Sequence, residues 1–246
     1  MTLAYAQLLR ATLPRVREQI ATAARAAGRP AADVRLVAVT KGHPLAAVEA
    51  ALAAGLGDLG ENRVEELEQK VAAVAAARPD ADGIRWHMIG HLQSRKVKRV
   101  VELAGLIHSV DSLRLAERIA RAAQESDGTA RVLAQINTSG EAAKQGLPRA
   151  AAEDAVLAMA SLPGLRVEGL MTMAPLTDDE RVQGDTFRRL REMRDRLAAA
   201  DPRVGRELSM GMTNDLAVAI REGSTMVRIG TALFGERETN RSEETR

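Results

Sequence analysis

Lysine is scarce in this chain: 5 lysines stand against 30 arginines among 246 residues. One of the five, Lys41, stands in the stretch VRLVAVTKGHP at 34–44. Its first six residues, rich in β-branched and aliphatic side chains, read as a buried strand, and Gly42 and Pro44 break it just after the lysine. A sequence that writes nearly all its cations as arginine has a chemical reason to place a primary amine there. An amine condenses with a carbonyl to form a Schiff base, which the delocalised guanidinium does not do. A strand-end lysine can also simply lay its stem along the apolar end and reach water.

Two later stretches carry a different chemistry. SMGMTND (209–215) supplies a hydroxyl in Ser209, a glycine at Gly211 that lets backbone approach closely, and a helix start at Thr213 or Asn214. The first N–H groups of a helix are unpaired and lie at its positive end, so such a turn suits an anion, a phosphate above all. RIGT (228–231) adds Arg228, Gly230 and Thr231. Each stretch alone has the composition of an ordinary capped turn. Together with a strand-end amine they meet the needs of pyridoxal phosphate: a lysine for its aldehyde, a cradle for its phosphate and a partner for its ring nitrogen.

The elements that must bring these stretches together alternate regularly. A helical pattern over 3–28 (Leu8, Leu9, Leu13, Val16, Ile20) stops near Gly28 and Pro30. Strand-like runs follow at 34–39, 57–60, 84–89, 106–110, 131–136, 165–170, 206–210 and 226–229. Helical patterns lie between them at about 44–54, 62–77, 92–104, 112–125, 147–160, 178–200 and 213–222. Strict alternation implies parallel strands with right-handed crossovers, and eight units at this length fit a single (β/α)8 barrel with an extra N-terminal helix. In such a barrel the residues after each strand form the functional face, and the loops after the last two strands commonly hold phosphate. That face would gather Lys41, Glu61 and Asn62, Gly90 and His91, Ser109 and Asp111, Asn137, Met171 and Met173, with the two Gly-rich turns. The competing architecture, an open doubly wound sheet, finds a G-x-G-x-x-G in GLGDLG (55–60). There a helix precedes the glycines, whereas a dinucleotide fingerprint follows a strand and opens a helix. Residues 1–235 are expected to form one domain, and the polar tail 236–246 to be disordered.

The chain resembles the pyridoxal phosphate homeostasis proteins, small relatives of the bacterial alanine racemase barrel. The resemblance runs through LVAVTK, GDLGENRVEEL, WHMIGHLQSRK, QINTSGEAAKQGL, GLMTM and LSMGMTNDLAVAIREGSTMVRIGTALFG. It implies a barrel of the fold type III pyridoxal phosphate proteins, with Lys41 carrying the cofactor and Asn62 beside its ring. Ser209, Gly230 and Thr231, with backbone near Gly211, would hold the phosphate. Arg228 would pair with the phosphate or face the pyridine nitrogen, as in the related racemases. Two positions depart from the family pattern. Arg95 stands in QSRK where an asparagine is usual, and Thr213 stands where a serine is usual, keeping the hydroxyl.

The function implied is a carrier that buffers or delivers pyridoxal phosphate without turnover of its own, with apo forms of pyridoxal phosphate enzymes as partners. The alternative is a pyridoxal phosphate racemase, which needs two acid–base groups on opposite faces of the substrate. The related racemases place a tyrosine opposite the lysine and related decarboxylases a cysteine. Here Tyr5 is the sole tyrosine, on the N-terminal helix, and cysteine is absent; a histidine could substitute. The absence of cysteine also excludes disulfides and thiolate metal ligands. The net charge of +2 and four aromatic residues of the Phe, Trp and Tyr types give no case for nucleic acid. His87 and His91 are separated by a strand end, so no metal is expected. The basic run SRKVKRVVE (94–102) reads as a solvated helix face or a contact for an anionic partner. Asn62 with Glu65, and Asp111, fit helix caps. No signal layout and no long apolar span are present, so a cytoplasmic monomer is expected.

Overall fold

Short aliphatic runs bounded by glycine turns cannot bury both faces alone, and here they do so by closing on one another. In the computed structural model, which describes residues 2–78, 83–141 and 145–236, eight parallel strands form the ring. They are β1 (Arg35–Val39), β2 (Asp58–Glu61), β3 (Arg85–Met88), β4 (Leu106–Val110), β5 (Ala130–Asn137), β7 (Leu165–Met171), β8 (Glu207–Ser209) and β9 (Met226–Ile229). Each pairs with the next, and β9 pairs back onto β1, Arg35 opposite Met226 and Ala38 opposite Ile229. A two-residue strand, β6 (Leu147–Pro148), pairs only with the end of β5. The closed eight-stranded parallel barrel is the architecture the alternation predicts.

The helices that cross between strands are α2 (Leu45–Ala53), α3 (Val64–Ala77), α4 (Val97–Leu103), α5 (Leu113–Gln124), α6 (Arg149–Ala160), α7 (Glu180–Ala200) and α8 (Leu216–Arg221). A one-turn helix, α9 (Thr231–Phe234), follows β9. Gly55, at φ +77°, ends α2 in the left-handed region, and the next glycine, Gly57, leads into β2. The G-x-G-x-x-G therefore spans a helix stop and a strand, as its position in the sequence implies.

The long helix α1 (Thr2–Ala26) buries Leu9, Leu13, Val16 and Ile20, one stripe at three- and four-residue spacing. The stripe packs on α2, α8 and α9, across the seam where the last strand meets the first. Burying each such side chain contributes roughly 1.5–3 kcal/mol, so α1 reinforces the point where the ring closes.

Strand side chains two apart share a face, and the inner face is mixed. Leu106, Leu133, Met171 and Met226 form a small apolar cluster of their own, apart from the main core between strands and helices. The same inward parity carries His108, Ser209 and Arg228. At the N-terminal ends of the strands Arg35 lies 4.0 Å from Asp58 and 3.5 Å from Glu207, and Arg85 lies 3.5 Å from Asp58.

Several local expectations are corrected. Helix α8 begins at Leu216, not at Thr213 or Asn214, which sit in a turn ahead of it. Asn62 and Glu65 form no capping box, because Arg63 holds the N-cap position of α3 without a side-chain bond. Ser112, not Asp111, caps α5, accepting from the Leu115 N–H at 3.3 Å. In the basic run, Lys96 and Arg99 pair with Glu65 and Glu68 of α3, so that part of the run joins two helices and is not merely solvated. Residues 237–246 of the polar tail lie outside the described residues.

Candidate cofactor-binding site

At the C-terminal ends of the strands a cavity of about 440 Å³ opens to solvent. Its wall takes Lys41 from the end of β1, Asn62 from β2, Gly90 and His91 from β3, and Gln135 from β5. The loop after β7 (Met173 to Asp178), the turn after β8 (Met212 to Asp215), Arg228 of β9, and Gly230 and Thr231 just after it complete the wall.

Lys41 stands on a strand end that is anchored on both sides. The buried Lys70 on α3 donates from Nζ to the Thr40 carbonyl at 2.8 Å and to Glu61 Oε1 at 2.7 Å. Thr40 Oγ1 donates to the same Glu61 oxygen at 2.5 Å. Past the lysine, the Gly42 N–H donates to Glu66 Oε2 at 2.7 Å. The peptide on each side of Lys41 is thus tied to α3 or β2. Glu61 is fully buried, and burial raises its carboxyl above the usual range despite Lys70 and Thr40, which favour the anion.

The Asn62 Oδ1 atom is buried and has no hydrogen-bond partner. A buried polar atom left unbonded costs about 1–3 kcal/mol, so an acceptor kept at the edge of a cavity fits a site built for a polar ligand. The loop that carries it is pressed against the one after β3. A Cβ on Gly90 would fall 2.1 Å from the Asn62 carbonyl oxygen, a separation only glycine permits.

Arg228 is buried and lines the cavity. Nη1 donates to Ser209 Oγ at 2.6 Å and Nη2 to the Thr172 carbonyl at 3.1 Å. Burial lowers its guanidinium to about 10, with Asp215 pulling the other way, so it remains a cation at neutral pH. Asp215 also accepts from the Met212 N–H at 2.5 Å, which shapes the turn carrying Thr213 and Asn214 into the cavity wall.

Five of the seven residues expected from sequence therefore meet in one cavity: Lys41, Asn62, Arg228, Gly230 and Thr231. Ser209 and Gly211 lie behind the wall. The Ser209 hydroxyl is fully buried between Arg228 and His108 Nδ1, 2.8 Å away. Gly211 uses its carbonyl to accept the Arg228 backbone N–H at 3.0 Å, and its φ of +98° brings it against α8, where a Cβ would fall 2.6 Å from that of Ala219. Thr213 takes the wall position instead. Sequence reading missed Asp215 and Gln135 as wall residues; Asp215 was in view in SMGMTND but reads there as an ordinary turn residue. The histidines separate as well. His91 is on the wall, half exposed and 3.5 Å from Asp111. His43 bonds Tyr5 through Nδ1 at 3.1 Å, and His87 lies inside the barrel.

The family profile described as alanine racemase, N-terminal domain, matches residues 12–238. A curated protein of Pseudomonas aeruginosa named pyridoxal phosphate homeostasis protein is 41% identical over 92% of this chain and 94% of its own. The chain belongs to this family. Among solved structures, an unknown protein from Bifidobacterium adolescentis superposes with a TM-score of 0.87 at 40% identity, covering 94% of this chain and 96% of its own. PipY of Synechococcus elongatus, solved with PLP bound, gives a TM-score of 0.76 at 35% identity, covering 89% of this chain and all of its own. Among the described residues no helix is long and apolar enough to cross a membrane.

Proposed function

We propose that this protein binds pyridoxal phosphate through a Schiff base at Lys41 and serves intracellular pyridoxal phosphate homeostasis, holding and delivering the cofactor without turning over a substrate. The observation that carries this is the convergence of the Lys41 amine and the buried Arg228 cation in one cavity beside the unbonded Asn62 Oδ1. A volume near 440 Å³ suits a ligand of this size, and relatives bear the homeostasis name or were solved with PLP. When bound, the cofactor supplies an aldehyde that condenses with amines and a ring that draws electrons from what is attached.

The chain's own residues divide the remaining work. Lys41 presents the amine. Gly230, Thr231 and Thr213 face the phosphate, taking the hydroxyl role that sequence gave to Ser209, whose Oγ is engaged below the floor. Asn62 flanks the ring, and Arg228 donates to the ring nitrogen or the phosphate. For racemisation a second acid–base group would have to face the ligand from the side opposite Lys41. Tyr5 is bonded to His43 and neither lines the cavity, which leaves His91 as the sole imidazole among the described lining residues.

Delivery is favoured by the mouth, where Met173, Leu176 and Met212 expose 37%, 98% and 39% of their surface. Apolar groups ringing a cofactor cavity suit docking of a recipient, here the apo form of a pyridoxal phosphate enzyme. Residues 1–235 are read as a single cofactor domain working as a monomer in the cytoplasm. Borohydride reduction of protein loaded with pyridoxal phosphate, followed by peptide mass mapping, should place the pyridoxyl group on Lys41. An adduct on Lys70, Lys96 or Lys98 in its place would refute the assignment.

A further inference from the structure

Behind the cavity floor a chain of buried polar side chains crosses the whole barrel. From Arg228 Nη1 it passes to Ser209 Oγ (2.6 Å) and on to His108 Nδ1 (2.8 Å). His108 Nε2 lies 2.8 Å from His87 Nδ1, and His87 Nε2 lies 2.9 Å from Asp58 Oδ1. Ser209, His108 and His87 are fully buried, Arg228 nearly so, while Asp58 at the opposite mouth is partly open to water. Five side chains from β9, β8, β4, β3 and β2 thus link the cofactor cavity to the far end of the barrel.

The two ends of this chain have fixed hydrogen-bonding roles. A guanidinium only donates and a carboxylate only accepts. With both imidazoles neutral, one assignment satisfies every contact. His87 donates from Nε2 to Asp58, so its Nδ1 accepts from His108 Nε2–H; His108 Nδ1 then accepts the Ser209 hydroxyl proton, and the Ser209 oxygen accepts from Arg228. If His87 were instead an imidazolium, both its nitrogens would donate. His108 would then donate from Nδ1 to Ser209, and the serine oxygen would face two donors while its own proton lost its acceptor in the chain.

We propose that Asp58, His87, His108 and Ser209 form a one-way hydrogen-bond relay that positions Arg228 as a donor-only cation at the cavity floor. Through it the site selects ligands that present an acceptor there: an unprotonated ring nitrogen or a phosphate oxygen. The inference rests on the cofactor reading of the cavity for its ligand, but not for the direction of the relay. Both imidazoles sit below their ordinary range. Burial is the main cause for each; in His87 it outweighs Asp58, and in His108 the neighbours His87, Arg228 and Arg35 add to it. Burial raises Asp58, but the hydrogen bond from His87 and the nearby Arg85 and Arg35 charges more than offset this, so its carboxyl lies below the usual range and stays ionised. Arg35 in turn faces Glu207 on β8. His108 and Ser209 are positioning residues: they touch Arg228 or its partner, not the cavity.

The experiment has two arms on the full chain. Histidine side-chain 15N–1H correlation of the protein without cofactor, at pH 7.5, should show both His87 and His108 protonated at Nε2 alone. An Nδ1–H tautomer or an imidazolium on either ring overturns the relay, whether or not pyridoxal phosphate binds. In the second arm, dialysis of the pyridoxal phosphate complex should lose cofactor roughly ten- to a hundredfold more readily in S209A, the cost of one hydrogen bond to a charged group, and up to about tenfold more readily in H108L, the cost of the neutral bond that orients Ser209. The pH at which the bound chromophore changes its absorbance should shift in both. H108N, whose carbonyl can take the serine proton at the place of Nδ1, should retain cofactor within severalfold of the parent. A folded H108L with unchanged retention and an unchanged titration overturns the positioning role. Failure of the parent to form a reducible adduct would remove the cofactor reading and leave the tautomer result to decide the relay.

Discussion

Replacing Lys70 by methionine would leave Glu61 fully buried with no cation beside it. In the parent, Lys70 Nζ lies 2.7 Å from Glu61 Oε1 and 2.8 Å from the Thr40 carbonyl, at the end of the strand that leads into Lys41. Removing one partner of a buried ion pair costs about 3–5 kcal/mol, because the other charge stays desolvated. For a domain of this size, about 2–4 °C per kcal/mol turns that into a fall in Tm of roughly 6–20 °C. The cost must depend on pH. Burial already raises Glu61 above its ordinary 4.5, and losing Lys70 raises it further. A folded-state value above the unfolded one means that the native state holds a proton the unfolded chain has released. Stability is then lost as pH rises from 4.5 to the folded value, by up to about 1.4 kcal/mol per unit. The deficit of K70M against the parent should therefore be larger at pH 8 than at pH 5.5, and the double variant E61Q/K70M should recover most of it. Urea unfolding of the four proteins at both pH values measures this as a double-mutant cycle. A K70M deficit below 1 kcal/mol, or one equal at the two pH values, would refute the claim that this pair holds the strand end.

The phosphate assignment predicts that T231A and T213A each weaken pyridoxal phosphate retention about ten- to a hundredfold while leaving Tm within a few degrees, read by equilibrium dialysis and thermal unfolding. Retention unchanged in the double variant would place the phosphate elsewhere. The carrier assignment predicts that D-alanine does not accumulate from L-alanine above the rate of free cofactor when the loaded protein is followed by chiral chromatography. Robust racemisation abolished by H91N would instead identify His91 as the second base.

The barrel was legible because its signals are local and repeated. Most strands are short runs rich in apolar residues, bounded by glycine or a polar turn, and the alternation with helices recurs along the chain. The place of Lys41 in the cavity wall was legible for a related reason: it is one scarce residue type at one strand end. Where the reading slipped, a side chain had two plausible partners. SMGMTND promised a helix beginning at Thr213, but Asp215 folds back onto the Met212 N–H and delays the helix to Leu216. Asn62 had the spacing of a cap, yet its Oδ1 stays unbonded at the cavity while Arg63 takes the cap position.

The relay was not legible at all, and its physics explains why. Its members stand at 58, 87, 108, 209 and 228, so no spacing rule connects them. Each is adjacent to the next only because the ring closes and its inward parity stacks β2, β3, β4, β8 and β9 around one axis. Read singly, His108 in LIHSV is a polar residue interrupting a buried strand, and Ser209 is a turn hydroxyl. Closure converts both into partners of a charge. A cation buried as deeply as Arg228 persists when its N–H groups are bonded and its orientation is fixed, and Ser209 and the Thr172 carbonyl meet that need from below. The polar interior of the strands is thus the counterpart of the cation above it. Sequence reading found five residues that line the cavity, because contact chemistry selects residue types. It could not find the residues that hold them, because support is a property of the closed barrel.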